Sequence, residues 1–241
     1  ICEKEPHKEI WIHTFLNKKS LHLTKLLLHT PVTPNQVTVT GIIGGFIGVV
    51  LISSPKLWVH LLGYFLVFFY YMTDYSDGQI ARYKKMTSIT GRYLDYIGHI
   101  VVYPLMFLSL GVYLFNQSGN LINLLIGTTT ALFILSSYIM NKLYILITGV
   151  KKGHLEKERE GKKVNFKRIL LRIHKTINFQ FYIIIFILIA EILQPFLTQR
   201  GIHLNLLFYV LIYVLLISAV TFFLQVIIDA KSLNSKKNKN K

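Results

Sequence analysis

The chain has 241 residues, of which 52% are hydrophobic and 13% are aromatic, and its formal net charge is +16. This apolar composition excludes an ordinary soluble domain. It is typical of an integral membrane protein with several spans of about 20 residues each. The single cysteine, Cys2, excludes a disulfide framework and a metal site built on cysteines.

Six apolar runs follow one another along the chain and predict an all-α fold with six transmembrane helices. Short polar connections separate the first run from the second, the third from the fourth and the fifth from the sixth, as expected for tight turns. The predicted spans are Val37–Ser53, Leu57 to about Ile80, Tyr93–Phe115, Leu121–Thr148, Phe179–Leu197 and Leu204–Ile228.

The distribution of Lys and Arg predicts the orientation of these spans, because basic residues concentrate on the cytoplasmic side of a membrane. Of the 27 Lys and Arg residues, only Lys56 and Arg200 lie in connections on one side of the membrane. The other 25 lie in segments on the opposite side. We therefore expect both termini and the connection that holds Lys84 and Lys85 to be cytoplasmic, in a plasma or cytoplasmic membrane. The excess positive charge then attracts anionic lipid, which we favour over binding of nucleic acid.

Three parts are expected along the chain. Residues 1–32 form a cytoplasmic segment with an amphipathic interfacial helix, residues 33–230 form the six-helix transmembrane domain, and residues 231–241 form a basic disordered tail. Pro31 and Pro34 end the amphipathic helix, and Pro34 suits the first turn of the first span. Apolar residues at helical spacing within Lys151–Lys175 predict a second interfacial helix.

Carboxylates lie in or beside the second and third spans, where a charge costs at least about 2.5 kcal/mol unless it faces a cavity, a partner or an ion. Asp74 and Asp77 share a face of the second span, and Asp95 and His99 share a face of the third. In an antiparallel hairpin, counting from the connection around Thr87 sets Asp77 level with Asp95. The same count sets Asp74 level with His99, so we expect four ligand-capable side chains to converge.

Crowded carboxylates cannot all ionise cheaply, so either one is protonated or a cation neutralises them. Hard oxygen ligands favour Mg²⁺ or Mn²⁺, and we expect two ions. Gly78 and Gly91 beside the acidic residues leave room for a ligand or for a close helix contact. Arg82 has a planar fork of donors that suits phosphate, although anchoring at the cytoplasmic surface is the alternative for this residue.

This spacing resembles the signature of the CDP-alcohol phosphotransferase family, whose members are also called CDP-alcohol phosphatidyltransferases. The matching positions are Asp74-x-x-Asp77-Gly78-x-x-Ala81-Arg82, eight further residues, and then Gly91-x-x-x-Asp95. The segment Thr33-Pro34-Asn35 before the first span resembles the family as well, which makes Asn35 a candidate binding residue.

The resemblance implies a reaction in which CDP-diacylglycerol or a CDP-alcohol gives its phosphoryl-linked group to an acceptor hydroxyl and releases CMP. It implies that Asp74, Asp77 and Asp95 hold divalent metals and that Arg82 contacts the nucleotide or its phosphates. Small residues at Gly78 and Ala81 would leave room for the cytidine nucleotide, and a homodimer is also implied.

One position departs from the family pattern. A fourth Asp is expected to complete the second metal site and to act as general base, and His99 stands there instead. A neutral imidazole can ligate a metal or accept a proton, so Asp95 and His99 are the candidate catalytic residues. Three interpretations stay open: an active enzyme with His99 as base or ligand, a slow or narrowed enzyme, and an inactive relative with a lipid-binding role.

The acceptor side carries a weaker signal. Ser137-Tyr138 followed by Lys142 resembles a segment of family members that use phosphorylated acceptors, such as glycerol 3-phosphate or inositol phosphate. A cation transporter would also place Asp residues in its spans. The carboxylates here lie near one face beside Gly78 and Arg82, which favours the transferase.

Overall fold

The computed structural model describes residues 11–148, 180–201 and 204–237. These residues form helices and contain no strand, which confirms the predicted all-α class. The helices are α1 (Trp11–Leu28), α2 (Pro34–Ile52), α3 (Leu57–Tyr83), α4 (Ile89–Ser118), α5 (Leu121–Thr148), α6 (Gln180–Gln199) and α7 (Leu206–Lys237).

Four helical segments are long and apolar enough to cross a membrane, namely Pro34–Ile52, Ile89–Ser118, Leu121–Ile147 and Leu206–Ala230. They identify the chain as an integral membrane protein. Phe186–Gln199 is a shorter apolar helix. The second predicted span, α3, has 27 residues but carries Asp74, Asp77 and Arg82, which lower its hydropathy.

Some of the predicted features lie wholly or partly outside the residues that the structure describes. The predicted interfacial helix within Lys151–Lys175 lies outside the described ranges, as do Phe179 and the last four residues of the tail. By contrast, α7 continues to Lys237 and so enters the segment expected to be disordered. Its continuation through Ala230 and Lys231 follows from the good helix propensity of these residue types.

The chain divides into two compact units, residues 1–117 and residues 118–241. In the first unit, α2 and α3 approach so closely that their backbones touch. A Cβ added to Gly48 would lie 2.8 Å from the carbonyl oxygen of Gly63, and one added to Gly63 would lie 2.7 Å from that of Gly48. Small residues permit this approach between apolar helices, which sets the register of α3 against α2.

Helix α2 begins with a capping box. The Thr33 side chain accepts a hydrogen bond from the backbone N–H of Gln36, the Gln36 side chain accepts one from the backbone N–H of Thr33, and Pro34 occupies the first turn. Two of the backbone donors at this helix end that lack an intrahelical partner are thereby satisfied. The cap places Asn35 in the first turn of α2.

Helix α3 ends in a turn that sends the chain back into α4. Lys85 has a positive φ of 56°, and the Met86 N–H donates to the Ala81 carbonyl over 2.9 Å. This is the bonding of a helix end closed by a left-handed residue. The Lys84 ammonium donates to the carbonyls of Thr30 (3.1 Å) and Val32 (2.9 Å), which ties the turn to the segment before α2.

Helix α1 contacts α3 through hydrogen bonds. The Gln79 amide nitrogen donates to Asn17 Oδ1 (2.7 Å) and to the Ser20 hydroxyl (2.9 Å), and the Thr24 hydroxyl donates to the Gln79 oxygen (2.5 Å). Ser20 and Thr24 are buried, whereas Leu26 on the opposite side is 67% exposed. The inner face of α1 is therefore polar and its outer face carries exposed apolar surface.

In the second unit, α5 and α7 pack against each other. The Gln225 amide donates to the Ser137 carbonyl over 3.4 Å. The polar residues of α7 that are buried recur at helical spacing, and they are Ser218, Thr221, Gln225 and Asp229.

Candidate metal centre

Three ligand-capable side chains meet between α3 and α4. Asp74 comes from α3, Asp95 and His99 come from α4, and one ligating atom of each lies within 4.8 Å of the others. His99 Nε2 is 3.5 Å from Asp95 Oδ1 and 3.9 Å from Asp74 Oδ1. The Asp95 side chain is 47% exposed and that of Asp74 is 17% exposed, so the cluster opens to solvent on the Asp95 side.

The distances fit a bound divalent cation. Two donors that each bind one ion at about 2.0–2.2 Å lie at most about 4.4 Å apart, and both distances from His99 Nε2 fall below that limit. The carboxyl groups of Asp74 and Asp95 are also within hydrogen-bonding reach of each other. Two carboxyl groups in contact require a shared proton or a cation, and the imidazole supplies a further neutral ligand.

Asp77 lies beside this group but outside it. The Thr38 hydroxyl of α2 donates to Asp77 Oδ2 over 2.5 Å. A step of three residues turns a helix by about 300°, so Asp77 points about 60° away from Asp74, toward α2. Asp77 and Asp95 remain close enough to repel each other. The sequence predicted that four side chains would converge. In the structure three of them meet, and Asp77 lies beside this group.

Two signature glycines lie under polar side chains. A Cβ on Gly78 would lie 3.3 Å from Arg82 Nη1, and a Cβ on Gly91 would lie 2.9 Å from Asn35 Oδ1. Arg82 is exposed and Ala81 is partly buried, and the Arg82 guanidinium attracts the Asp77 carboxylate. These glycines thus leave space beside the acidic cluster that a guanidinium and an amide enter.

Sequence reasoning missed two tyrosines that hold His99. The Tyr70 hydroxyl lies 3.0 Å from His99 Nδ1, and the Tyr103 ring stacks on the imidazole with centroids 4.9 Å apart and planes at 17°. Tyr70 precedes Asp74 by four residues and Tyr103 follows His99 by four. This spacing is the signal that could have placed both tyrosines on the site face of their helices.

Lys142, the candidate acceptor residue, is an exposed residue of α5. It belongs to the second unit, whereas the acidic cluster, Asn35, Arg82 and both signature glycines belong to the first.

The comparison with family models identified one family. A family model described as CDP-alcohol phosphatidyltransferase matches residues 31–229, which is most of the chain. The search of curated proteins found no match. The matched range begins just before α2 and ends within α7, so it contains every residue of the acidic cluster.

Proposed function

This chain belongs to the CDP-alcohol phosphatidyltransferase family, and we propose that it transfers a phosphatidyl or phospho-alcohol group from a CDP-linked donor to an acceptor hydroxyl. The donor is CDP-diacylglycerol or a CDP-alcohol, the acceptor is a phosphorylated polyol such as glycerol 3-phosphate or inositol phosphate, and CMP is released. The observation that carries this proposal is the meeting of Asp74, Asp95 and His99 across two helices.

The acidic residues would hold Mg²⁺ or Mn²⁺. Asp74, Asp95 and His99 would form one set of ligands, and the closeness of Asp77 to Asp95 supports a second ion that Asp77 would help to hold. Bound divalent cations would neutralise the charge of the donor diphosphate and of the departing CMP. The carboxylates of the chain position these charges next to the substrate without forming a bond to it.

The nucleotide would lie over the signature glycines. The Arg82 guanidinium lies over Gly78, and its planar fork of donors can bind two phosphate oxygens at once. Asn35 above Gly91 offers an amide to the ribose or the base. Ala81 keeps this part of α3 narrow.

The acceptor hydroxyl would lose its proton to the pair of Asp95 and His99, whose Oδ1 and Nε2 are 3.5 Å apart. A new bond forms between the acceptor oxygen and the phosphorus that carries the lipid or alcohol group. The bond from that phosphorus to the bridging oxygen breaks, and the oxygen leaves with CMP. Phosphoryl transfer depends chiefly on positioning and on stabilisation of charge, and residues of these types can supply both.

The topology proposed for this reaction has six spans, with α3 and α6 joining the four apolar helices, and has both termini and the site on the cytoplasmic side. The connection between α3 and α4 supports this orientation, because Lys84 and Lys85 lie there, next to Arg82. Lys142 is then the residue for a phosphorylated acceptor. The proposal also includes a homodimer, which is supported only by the membership of the chain in this family.

Release of CMP tests the proposal. The purified chain is assayed in lipid micelles with radiolabelled CDP-diacylglycerol and CDP-alcohols, a panel of acceptors, and Mg²⁺ or Mn²⁺. We expect metal-dependent CMP release that Asp77→Asn abolishes and that Glu191→Gln, a matched change in α6, leaves intact. No CMP from either the unaltered chain or His99→Asp, with every donor tested, contradicts the proposal.

An inactive relative is the second candidate, and His99 at the fourth signature position is the observation that favours it. The same assay separates the two functions. An unaltered chain that stays silent while His99→Asp releases CMP identifies a transferase scaffold that has lost its activity.

A further inference from the structure

Two tyrosines contact the imidazole of His99, one at a ring nitrogen and the other on the face of the ring. Nδ1 lies 3.0 Å from the Tyr70 hydroxyl, and Tyr103 stacks on the imidazole at a centroid distance of 4.9 Å. Tyr70 is 2% exposed and Tyr103 is 5% exposed, so both rings belong to the packed interior of the first unit. The opposite nitrogen, Nε2, faces the carboxylates of Asp74 and Asp95.

The position of Tyr70 depends on two glycines. A Cβ on Gly45 of α2 would lie 3.0 Å from Tyr70 Cβ and Cγ, and a Cβ on Gly98 of α4 would lie 2.7 Å from the Tyr70 hydroxyl oxygen. The tyrosine therefore lies between α2 and α4 in a slot that only missing side chains leave open. A ring confined in this way has little freedom to follow the imidazole into another rotamer.

We propose, on the basis of the transferase function above, that Tyr70 is a positioning residue that keeps His99 Nε2 directed at the cation, so that this site prefers a transition-metal ion such as Mn²⁺ over Mg²⁺. A metal-bound histidine donates its other ring N–H to a neighbouring acceptor, which fixes its tautomer. The Tyr70 oxygen is that acceptor for Nδ1. Asp95, the more exposed member of its pair with His99, then receives the proton of the acceptor hydroxyl.

The preference for the ion follows from the nitrogen donor. Mg²⁺ requires near-octahedral oxygen coordination and gives up its water reluctantly, whereas imidazole suits first-row transition metals. Replacement of a carboxylate by a neutral imidazole also removes one negative charge from the site, which weakens the purely electrostatic binding on which Mg²⁺ relies.

Equilibrium binding of Mn²⁺ and Mg²⁺ to the purified chain, without donor or acceptor, tests the inference. We expect tighter binding of Mn²⁺, a loss of about tenfold or more in Mn²⁺ affinity with Tyr70→Phe, and a smaller loss of Mg²⁺ affinity. His99→Asp should narrow the ratio of Mn²⁺ to Mg²⁺ affinity by a similar factor. Tyr64→Phe, at another buried tyrosine of α3, is the matched control and should change neither affinity.

A second variant reaches the same hydroxyl from the other helix. Gly98→Ala displaces the Tyr70 hydroxyl by steric contact, so it should also lower the affinity for Mn²⁺. Thermal unfolding of each variant reports folding separately. Unchanged Mn²⁺ affinity in folded Tyr70→Phe, an unchanged ratio in folded His99→Asp, or no Mn²⁺ binding by the unaltered chain overturns the inference. Tyr70-dependent Mn²⁺ binding without any CMP release would instead refute the transferase function alone.

Discussion

Helix α3 carries polar residues on two faces, and the two faces differ in how their groups are matched. Toward α1, Gln79 donates to oxygen atoms of Asn17 and Ser20 and accepts from Thr24. Toward α4, Asp74 meets the Asp95 carboxyl group and His99 Nε2. Donors meet acceptors on the first face, whereas carboxyl groups meet each other on the second.

This difference separates a structural polar network from a ligand site. A buried network in which donors and acceptors are paired stabilises the fold that contains it. Carboxylates that face each other cost free energy until a proton or a cation arrives. Carboxyl groups that meet each other in a membrane helix pair therefore indicate a ligand site, whereas matched donors and acceptors do not by themselves.

Removal of one carboxylate should cost function and leave stability intact. We expect Asp74→Asn to lower CMP release by about 100-fold or more, because a positioned charge is lost from the site. Its thermal unfolding temperature should be unchanged or raised, because the contact between two carboxyl groups is relieved. Glu191→Gln serves as the control, and unaltered CMP release in Asp74→Asn would break the contrast between the two faces.

The contact that holds α3 against α2 should be the most sensitive point for stability. Gly48→Ala places a Cβ 2.8 Å from a backbone oxygen that cannot move aside, and we expect a loss of about 1–3 kcal/mol in free energy of unfolding. Gly44→Ala in the same helix meets only Phe69 Cδ1 at 3.9 Å and should be tolerated. Chemical unfolding in detergent measures both, and equal losses would mean that the helices are not in backbone contact.

Loss of the matched network should have the converse effect of Asp74→Asn. We expect Gln79→Ala to lower the free energy of unfolding by about 1–2 kcal/mol, because the buried Thr24 and Ser20 lose a hydrogen-bond partner. CMP release per folded molecule should stay the same. Lys18→Ala, on the exposed side of α1, is the control. A fall in specific activity with intact stability would assign Gln79 to the site.

A smaller effect on CMP release than that of Asp74→Asn is expected at the neighbour of the cluster. Thr38→Val removes the hydroxyl that donates to Asp77, and we expect CMP release to fall by about tenfold as this carboxylate loses its orientation. Thr40→Val alters an exposed threonine of the same helix and should be silent. If the two variants behave alike in a CMP assay, the orientation of Asp77 does not depend on Thr38.

Much of this arrangement follows from local pattern. Apolar runs predicted the helices. Counting from the connection near Thr87 predicted that Asp74 lies level with His99 and Asp77 level with Asp95, since each residue of a helix adds a fixed rise. The direction of Asp77 toward Thr38 required knowledge of how α2 packs on α3. The role of Gln79 required the position of α1, a packing arrangement that no spacing within α3 reveals.

The location of Mn²⁺ in crystals of the chain with CMP tests the central claim most directly. The anomalous signal of the ion should lie about 2.0–2.3 Å from His99 Nε2 and from a carboxylate oxygen of both Asp74 and Asp95. A second signal should lie beside Asp77. Manganese bound elsewhere, with none among Asp74, Asp95 and His99 while CMP is present, would contradict the assignment of this cluster as the metal centre of the transferase.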